Sequence, residues 1–265
     1  MRDPREIELI RLLLPVSTPI ELGELLERTG IHSDELPVFM EDLRQSGFVF
    51  SQTQKTIQAI KEPESLLPEM ILARLQTQTI GRDVLVFRET SSTNDRARQA
   101  GVAGAGEGLV IFAESQTGGR GTRGRKWVST AGVGLWFSIL LRTRVPVAQW
   151  PLLVQMAAVA CAEAIEKWVE QKVRIKPPND LMLGDGKLAG FLLETSNTWD
   201  FQVLGIGLNV RSAPLIDGYP TAAIEQFART RVPRAALAAE LLNCFETWYL
   251  KRTLAEMLSA FDRRI

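Results

Sequence analysis

Apolar positions in the first 60 residues recur at helical spacing in three short runs. Ile7, Leu9, Ile10, Leu13 and Leu14 form the first, Leu22, Leu25 and Leu26 the second, and Leu36, Val38, Phe39 and Leu43 the third, which ends at Gly47. Phe48 to Phe50 and Thr56 to Ile60 then read as the strands of a wing. Helix, helix, turn, helix, wing is the order of a winged helix-turn-helix, with Thr29 to Ser33 as the turn and Ser33 as the N-cap of the third helix. Lys61 to Pro68 holds two prolines and reads as a linker, so the expected domains are 1–62 and 63–265. Beyond it the pattern predicts a helix around Glu69 to Gln76, a strand at Val84 to Phe87 and a helix starting at Ser92 or Thr93. Strands at Leu109 to Ala113 and Leu135 to Leu141 precede a long helix from Trp150 to Glu170. Val173 to Ile175, Leu188 to Glu194 and Phe201 to Val210 are again β-rich, and the chain is helical from about Pro233. A mixed sheet flanked by helices, of α+β class, fits this order.

With 265 residues and 45% hydrophobic content, the chain supports one good core and a smaller second one. Its formal charge is zero, so no global field recruits nucleic acid or an anionic membrane, and any basic site must be local. The first 62 residues hold seven cations against eleven anions, a balance of −4, which opposes phosphate neutralisation. Asp34 and Glu35 stand where a recognition helix would read base edges, and Pro37 offers bases nothing. DNA is therefore a partner that the fold permits and the charge disfavours. Cys161 and Cys244 sit in apolar helical patterns and, with the single His32, cannot furnish a tetrahedral metal site; core packing is their expected role. The sequence shows neither a secretory leader nor an apolar run of spanning length, and the expected location is the cytoplasm, with no membrane partner.

The chemistry concentrates in Glu114 to Trp127, where four glycines and four cations follow an apolar strand. Glycines permit close backbone approach, so successive N–H groups can face one anion, while Arg120, Arg123, Arg125 and Lys126 add charge. Gly119, Gly121 and Gly124 match the dinucleotide fingerprint, but the run leads into a strand and lacks the helix whose N-terminus would hold a pyrophosphate. No Gly-x-x-x-x-Gly-Lys-Ser/Thr loop occurs. Ser91 to Asn94 places hydroxyls and an amide at a strand-to-helix junction, suited to a neutral polar head or to helix capping. Lys176-Pro-Pro-Asn179-Asp180 is a rigid turn carrying a cation and a carboxylate, and Lys187-Leu-Ala-Gly190 opens an apolar strand.

In this order, Ser-Thr-Asn, Gln-x-x-Gly-Arg-Gly-x-x-Gly-Arg-x-Trp, Lys-x-Pro-Asn-Asp, Lys-Leu-Ala-Gly and Gly-x-Gly-x-Asn, the chain resembles the biotin protein ligases, over about residues 5 to 250. The resemblance is to the bacterial ligase/repressor type with an N-terminal winged helix. It implies a catalytic domain like that of class II aminoacyl-tRNA synthetases and lipoate ligases. The implied reaction activates biotin with ATP and Mg2+ as biotinyl-5′-adenylate, then transfers it to a lysine of a biotin carboxyl carrier protein, the acetyl-CoA carboxylase subunit. Alternatives are a biotin-responsive regulator with little ligase activity, and a lipoate or octanoyl ligase on the same scaffold.

The implied site follows residue by residue. Ser92, Thr93, Asn94 and Gln116 would line the biotin ureido end; Arg120, with Gly119 and Gly121, would hold the biotin carboxylate and later the adenylate phosphate. Lys187, beside Gly190, would add charge to that centre, and Asn179 and Asp180 would orient phosphate or metal, Asp180 also accepting a proton from the incoming lysine amine. Arg123, Arg125 and Lys126 are implied for the nucleotide phosphates, Trp127 for packing the loop, and Gly205, Gly207 and Asn209 for the adenine side. No metal ligands are implied. Thr122 stands where that family usually has a second arginine, Pro177 where bacterial members often have Trp, and the small C-terminal SH3-like domain common in that group is expected to be absent. The Thr122 exchange implies weaker retention of the adenylate unless Arg123 substitutes. A homodimer is implied by the resemblance alone.

Overall fold

A computed structural model of the chain describes residues 3–14, 18–143, 146–196 and 198–265. They form two compact units, divided between Arg74 and Leu75.

In the first unit, helix α1 (Pro4–Leu13) starts at Asp3, whose carboxylate accepts the Arg5 N–H at 2.9 Å. Strand β1 (Ile20–Glu21) leads into α2 (Leu22–Thr29), which ends on Gly30 at φ 66. Then come α3 (Leu36–Gln45) and the hairpin of β2 (Val49–Gln52) and β3 (Thr56–Lys61), in a sheet of order β1-β3-β2. Leu9, Ile10, Leu13, Leu25, Leu43 and Ile57 are buried at its centre, the faces that the helical spacing marked. The entrance to α3 differs from the expected one. A turn beginning at His32 winds into the helix and Glu35 precedes it, so Ser33 is not its N-cap; the Glu35 carboxylate instead accepts the His32 N–H at 3.0 Å. The unit also runs past residue 62, because α4 (Pro68–Leu72) packs on α1 and buries Met70 and Ile71.

The second unit is built on a seven-stranded sheet of order β4-β5-β6-β10-β9-β8-β7. Its strands are β4 (Val84–Thr90), β5 (Val110–Gln116), β6 (Gly134–Leu141), β7 (Arg174–Lys176), β8 (Asp180–Leu183), β9 (Gly186–Glu194) and β10 (Gln202–Asn209). Only β4 and β5 pair in parallel, around the crossover helix α5 (Thr93–Val102). Ala97 of that helix packs with Leu109, Ile111, Leu140, Phe201 and Val203. Helix α6 (Trp150–Ile165) packs on α7 (Arg234–Glu246) and on α8 (Leu254–Asp262), and it covers β7 to β9. Every residue of β6 is buried, as expected of a central strand covered on both faces. The α6 helix stops short of the expected Glu170, and β8 was hidden from the sequence pattern by the Pro177-Pro178 turn that joins it to β7. Among the described residues no helix is long and apolar enough to cross a membrane.

Candidate active site

The second unit holds a cavity of about 370 Å³ between the β6, β9 and β10 strands, the start of α5, the 117–127 loop and the segment from Pro214 to Thr221. Of the residues singled out from sequence, Ser92, Thr93, Asn94, Gln116, Arg120, Gly121, Thr122, Arg125 and Trp127 line it. So do Asn179, Asp180, Lys187, Gly190, Gly207 and Asn209. Gly119, Arg123 and Lys126 do not. Gly119 has no room for a side chain, since a Cβ would sit 2.5 Å from the Trp127 carbonyl oxygen. Arg123 occupies the left-handed region at φ 59 on the exposed tip of the loop, and Lys126 pairs through its backbone with Arg120.

One end of the cavity is a relay of neutral polar groups. Thr93 donates to Gln116 Oε1 from its backbone N–H at 2.8 Å and from its hydroxyl at 3.2 Å, and Gln116 Nε2 donates to Ser129 Oγ at 2.7 Å. The Ser138 hydroxyl donates to Asn94 Oδ1 at 2.6 Å and lies 2.7 Å from Thr93 Oγ1. With its oxygen engaged, Asn94 keeps a buried Nδ2 with no partner, a donor that a neutral ligand oxygen would satisfy. Ser138 and Ser129 escaped sequence reasoning. Ser138 stands alone among apolar residues of β6 at 0% exposure, and a lone hydroxyl in such a strand is the signal that could have found it.

The other end carries charge. Lys187 Nζ lies 2.7 Å from Asp180 Oδ1 and 5.4 Å from the centre of the Trp127 ring. Its backbone is fixed on both sides: the Lys187 N–H donates to Pro220 at 2.8 Å, and its carbonyl accepts from Ala222 at 2.9 Å. Arg125 bonds the Thr122 carbonyl and hydroxyl at 3.3 and 3.1 Å, so the cation tied at Thr122 is Arg125, and not Arg123. Arg120 pairs end-on with Asp95, both bonds 2.9 Å, and reaches Glu194 at 3.2 Å. Bonds to Asp95 and Glu194 outweigh burial and push the Arg120 guanidinium further up from its ordinary value, so it stays charged.

Several of these residues are also engaged within the protein. The loop was expected to turn its N–H groups onto an anion, yet the Gly118, Gly121 and Trp127 N–H groups donate to Ser91, Arg125 and Gly119 carbonyls. Those three N–H groups are therefore committed within the protein. Asn179 uses its amide to hold the Phe191 carbonyl at 2.8 Å, which pins the β7–β8 turn to β9. The two glycines of β10 serve protein side chains: a Cβ at Gly205 would meet Asn94 Oδ1 at 2.2 Å, and one at Gly207 would meet the Trp127 ring at 2.4 Å. Asn209 donates to the Ala222 carbonyl at 3.0 Å, while its buried Oδ1 and the Trp127 Nε1 lack partners. Among the described residues no group of three His, Cys, Asp or Glu side chains could hold a metal ion. Cys161 is buried and Cys244 half-buried, and burial, the first cause for both, raises their thiols, Cys244 to about 12.

The mixed sheet brings a neutral relay and the Lys187–Asp180 pair into one cavity, and residues 86–210 match the biotin/lipoate A/B protein ligase family. The chain is 32% identical over 260 residues to the bifunctional ligase/repressor BirA of Bacillus subtilis, covering 94% of this chain and 79% of that one. It is 36% identical over 161 residues to a biotin–[acetyl-CoA-carboxylase] ligase of Mycobacterium tuberculosis, 57% of this chain and 60% of that one. The structure superposes with a TM-score of 0.60 on the biotin protein ligase of Leishmania major in complex with biotinyl-5-AMP, at 25% identity, covering 69% of this chain and 81% of that one. The chain belongs to the biotin protein ligase family.

Proposed function

We propose that the protein activates biotin with ATP and transfers the biotinyl group to a lysine of the biotin carboxyl carrier subunit of acetyl-CoA carboxylase. The observation that carries this reading is the pairing, in one cavity, of an unpartnered amide donor at Asn94 with the Lys187–Asp180 centre. Asn94 Nδ2 meets the ureido oxygen, and the Thr93–Gln116–Ser129 relay fixes the hydroxyls around it. A biotin carboxylate oxygen attacks the α-phosphorus of ATP and pyrophosphate leaves. Lys187, Arg120 and Arg125 stabilise the negative charge that builds there. The carrier's lysine amine then attacks the mixed-anhydride carbonyl, AMP leaves, and Asp180 takes the amine proton. No nucleophilic side chain is needed, because positioning and charge suffice.

Magnesium, when bound, neutralises ATP phosphate charge. A hard cation of this kind keeps most of its shell as water and phosphate, which agrees with a cavity that Asp180 and Asp185 line as its only carboxylates among the described residues. The test presents biotin, lipoate and octanoate separately with MgATP and detects each acyl-adenylate by mass spectrometry. Biotinyl-adenylate alone supports the assignment; adenylation of the fatty acids without biotin overturns it in favour of a lipoate or octanoyl ligase.

For the first unit we propose a winged helix-turn-helix. Likeness to a ligase/repressor makes operator DNA one ligand, and the balance of −4 over residues 1–62 opposes it. Binding to duplex DNA that weakens steeply with salt would establish the repressor role; none at low salt would leave this unit to protein contacts.

A further inference from the structure

We propose that Asp95 and Glu194 are positioning residues, a carboxylate clamp that holds Arg120 and, through it, the 117–127 loop in the arrangement that receives the ligand's carboxylate. The inference rests on the ligase reading for its kinetic consequences and on geometry for the clamp itself.

Arg120 Nη1 donates to Asp95 Oδ2 and Nη2 to Asp95 Oδ1, both at 2.9 Å, and Nη2 also donates to Glu194 Oε1 at 3.2 Å. A fork matched to a carboxylate fixes the guanidinium plane as well as its distance. Three of the five guanidinium hydrogens are thereby committed, and the Nε hydrogen with one on Nη1 remains for a ligand. The clamp residues come from separate elements. Asp95 sits in the first turn of α5, next to Thr93 and Asn94 of the neutral relay, and Glu194 ends β9, the strand that carries Lys187 near its start. The loop's ligand-facing arginine is thus tied to two separate elements, the start of α5 and the far end of β9 from Lys187. Thr122–Gly124 at the loop tip has no such tie: Arg125 bonds within the loop, and Arg123 is exposed. Arg98, 3.5 Å from Asp95 Oδ1, supplies a second cation to the carboxylate pair.

The test uses the full chain with Asp95→Asn and Glu194→Gln, and Asp95→Glu as the conservative variant. Trypsin is added without ligands, and cuts after Arg120, Arg123, Arg125 or Lys126 are followed by mass spectrometry. If the clamp closes the loop, Asp95→Asn is cut there about fivefold faster or more, because cleavage tracks the open population. Its melting temperature should fall only slightly, by the small stability the ion pair supplies, while KM for biotin should rise about tenfold and kcat should change less. Glu194→Gln should move both readouts the same way by less, and Asp95→Glu should recover part of each. Unchanged cleavage and unchanged KM in both variants overturn the proposal. A lower biotin KM also overturns it, since the carboxylates would then be competitors of the ligand. If the wild type forms no biotinyl-adenylate, the ligase reading fails, while loop cleavage still decides the clamp.

Discussion

Lys187 Nζ lies 2.7 Å from Asp180 Oδ1, so the cation proposed for the reacting phosphate and the carboxylate proposed for the incoming amine hold each other in place. Adjacent strands supply them: Lys187 is on β9 and Asp180 on β8, with a register irregularity between Leu181 and Met182.

That pairing predicts separable defects. Lys187→Ala should slow biotinyl-adenylate formation by about 10²–10³, the usual loss when one preorganised donor is removed. Asp180→Asn should slow transfer to the carrier more than adenylation. Rapid-quench measurement of both steps checks this, and a normal adenylation rate in Lys187→Ala would remove that residue from the centre.

Gly207→Ala would put a methyl 2.4 Å from the Trp127 ring, and Gly205→Ala one 2.2 Å from Asn94 Oδ1. Overpacking of this kind costs about 1–3 kcal/mol. Trp127 should move in the first variant, with a changed tryptophan emission and a raised KM for ATP. The second should weaken biotin binding by calorimetry and leave the emission alone. Identical effects from both would contradict the separation of the two ends.

Thr122 accepts from Arg125 at 3.1 Å through its hydroxyl. Thr122→Val removes that acceptor and should release more biotinyl-adenylate into solution, whereas Thr122→Arg, which restores the arginine usual in the family, should release less. Labelling of a lysine-rich bystander protein reads both; equal labelling in the three proteins would show that Arg125 is positioned without Thr122.

Hydrogen bonds from Arg120 hold the Asp95 carboxyl below the usual carboxylate range, against a smaller effect of burial, with Arg98 and Arg96 adding to the lowering. A depressed folded-state value contributes stability that is present above the unfolded value, near 3.9, and is lost as pH falls through the folded one. The stability difference between wild type and Asp95→Asn should therefore be level from about pH 5 to 8 and shrink below about pH 4. Urea unfolding across that series measures it; a difference that grows on acidification would contradict the pairing.

The sequence made the Gly/Arg loop, the Ser-Thr-Asn junction, Lys187 and most of the strands legible because each rests on local spacing of glycines, charges and apolar residues. Ser138 and Glu194 were not legible, since their partners lie 44 and 74 residues away and form only when the strands assemble. Gly205 and Gly207 were seen as a motif, but that Asn94 and Trp127 fill their space depends on packing across the sheet. The entrance to α3 misled because Ser33 is a good capping residue that a tighter turn from His32 displaces.

The central claim is ligation of biotin to a carrier. It is tested most directly by incubating the purified protein with biotin, MgATP and an apo biotin carboxyl carrier domain, then reading the products by mass spectrometry. One biotinyl group on the carrier's lysine, with AMP and pyrophosphate released, is the predicted result. An unmodified carrier and no biotinyl-adenylate would contradict it.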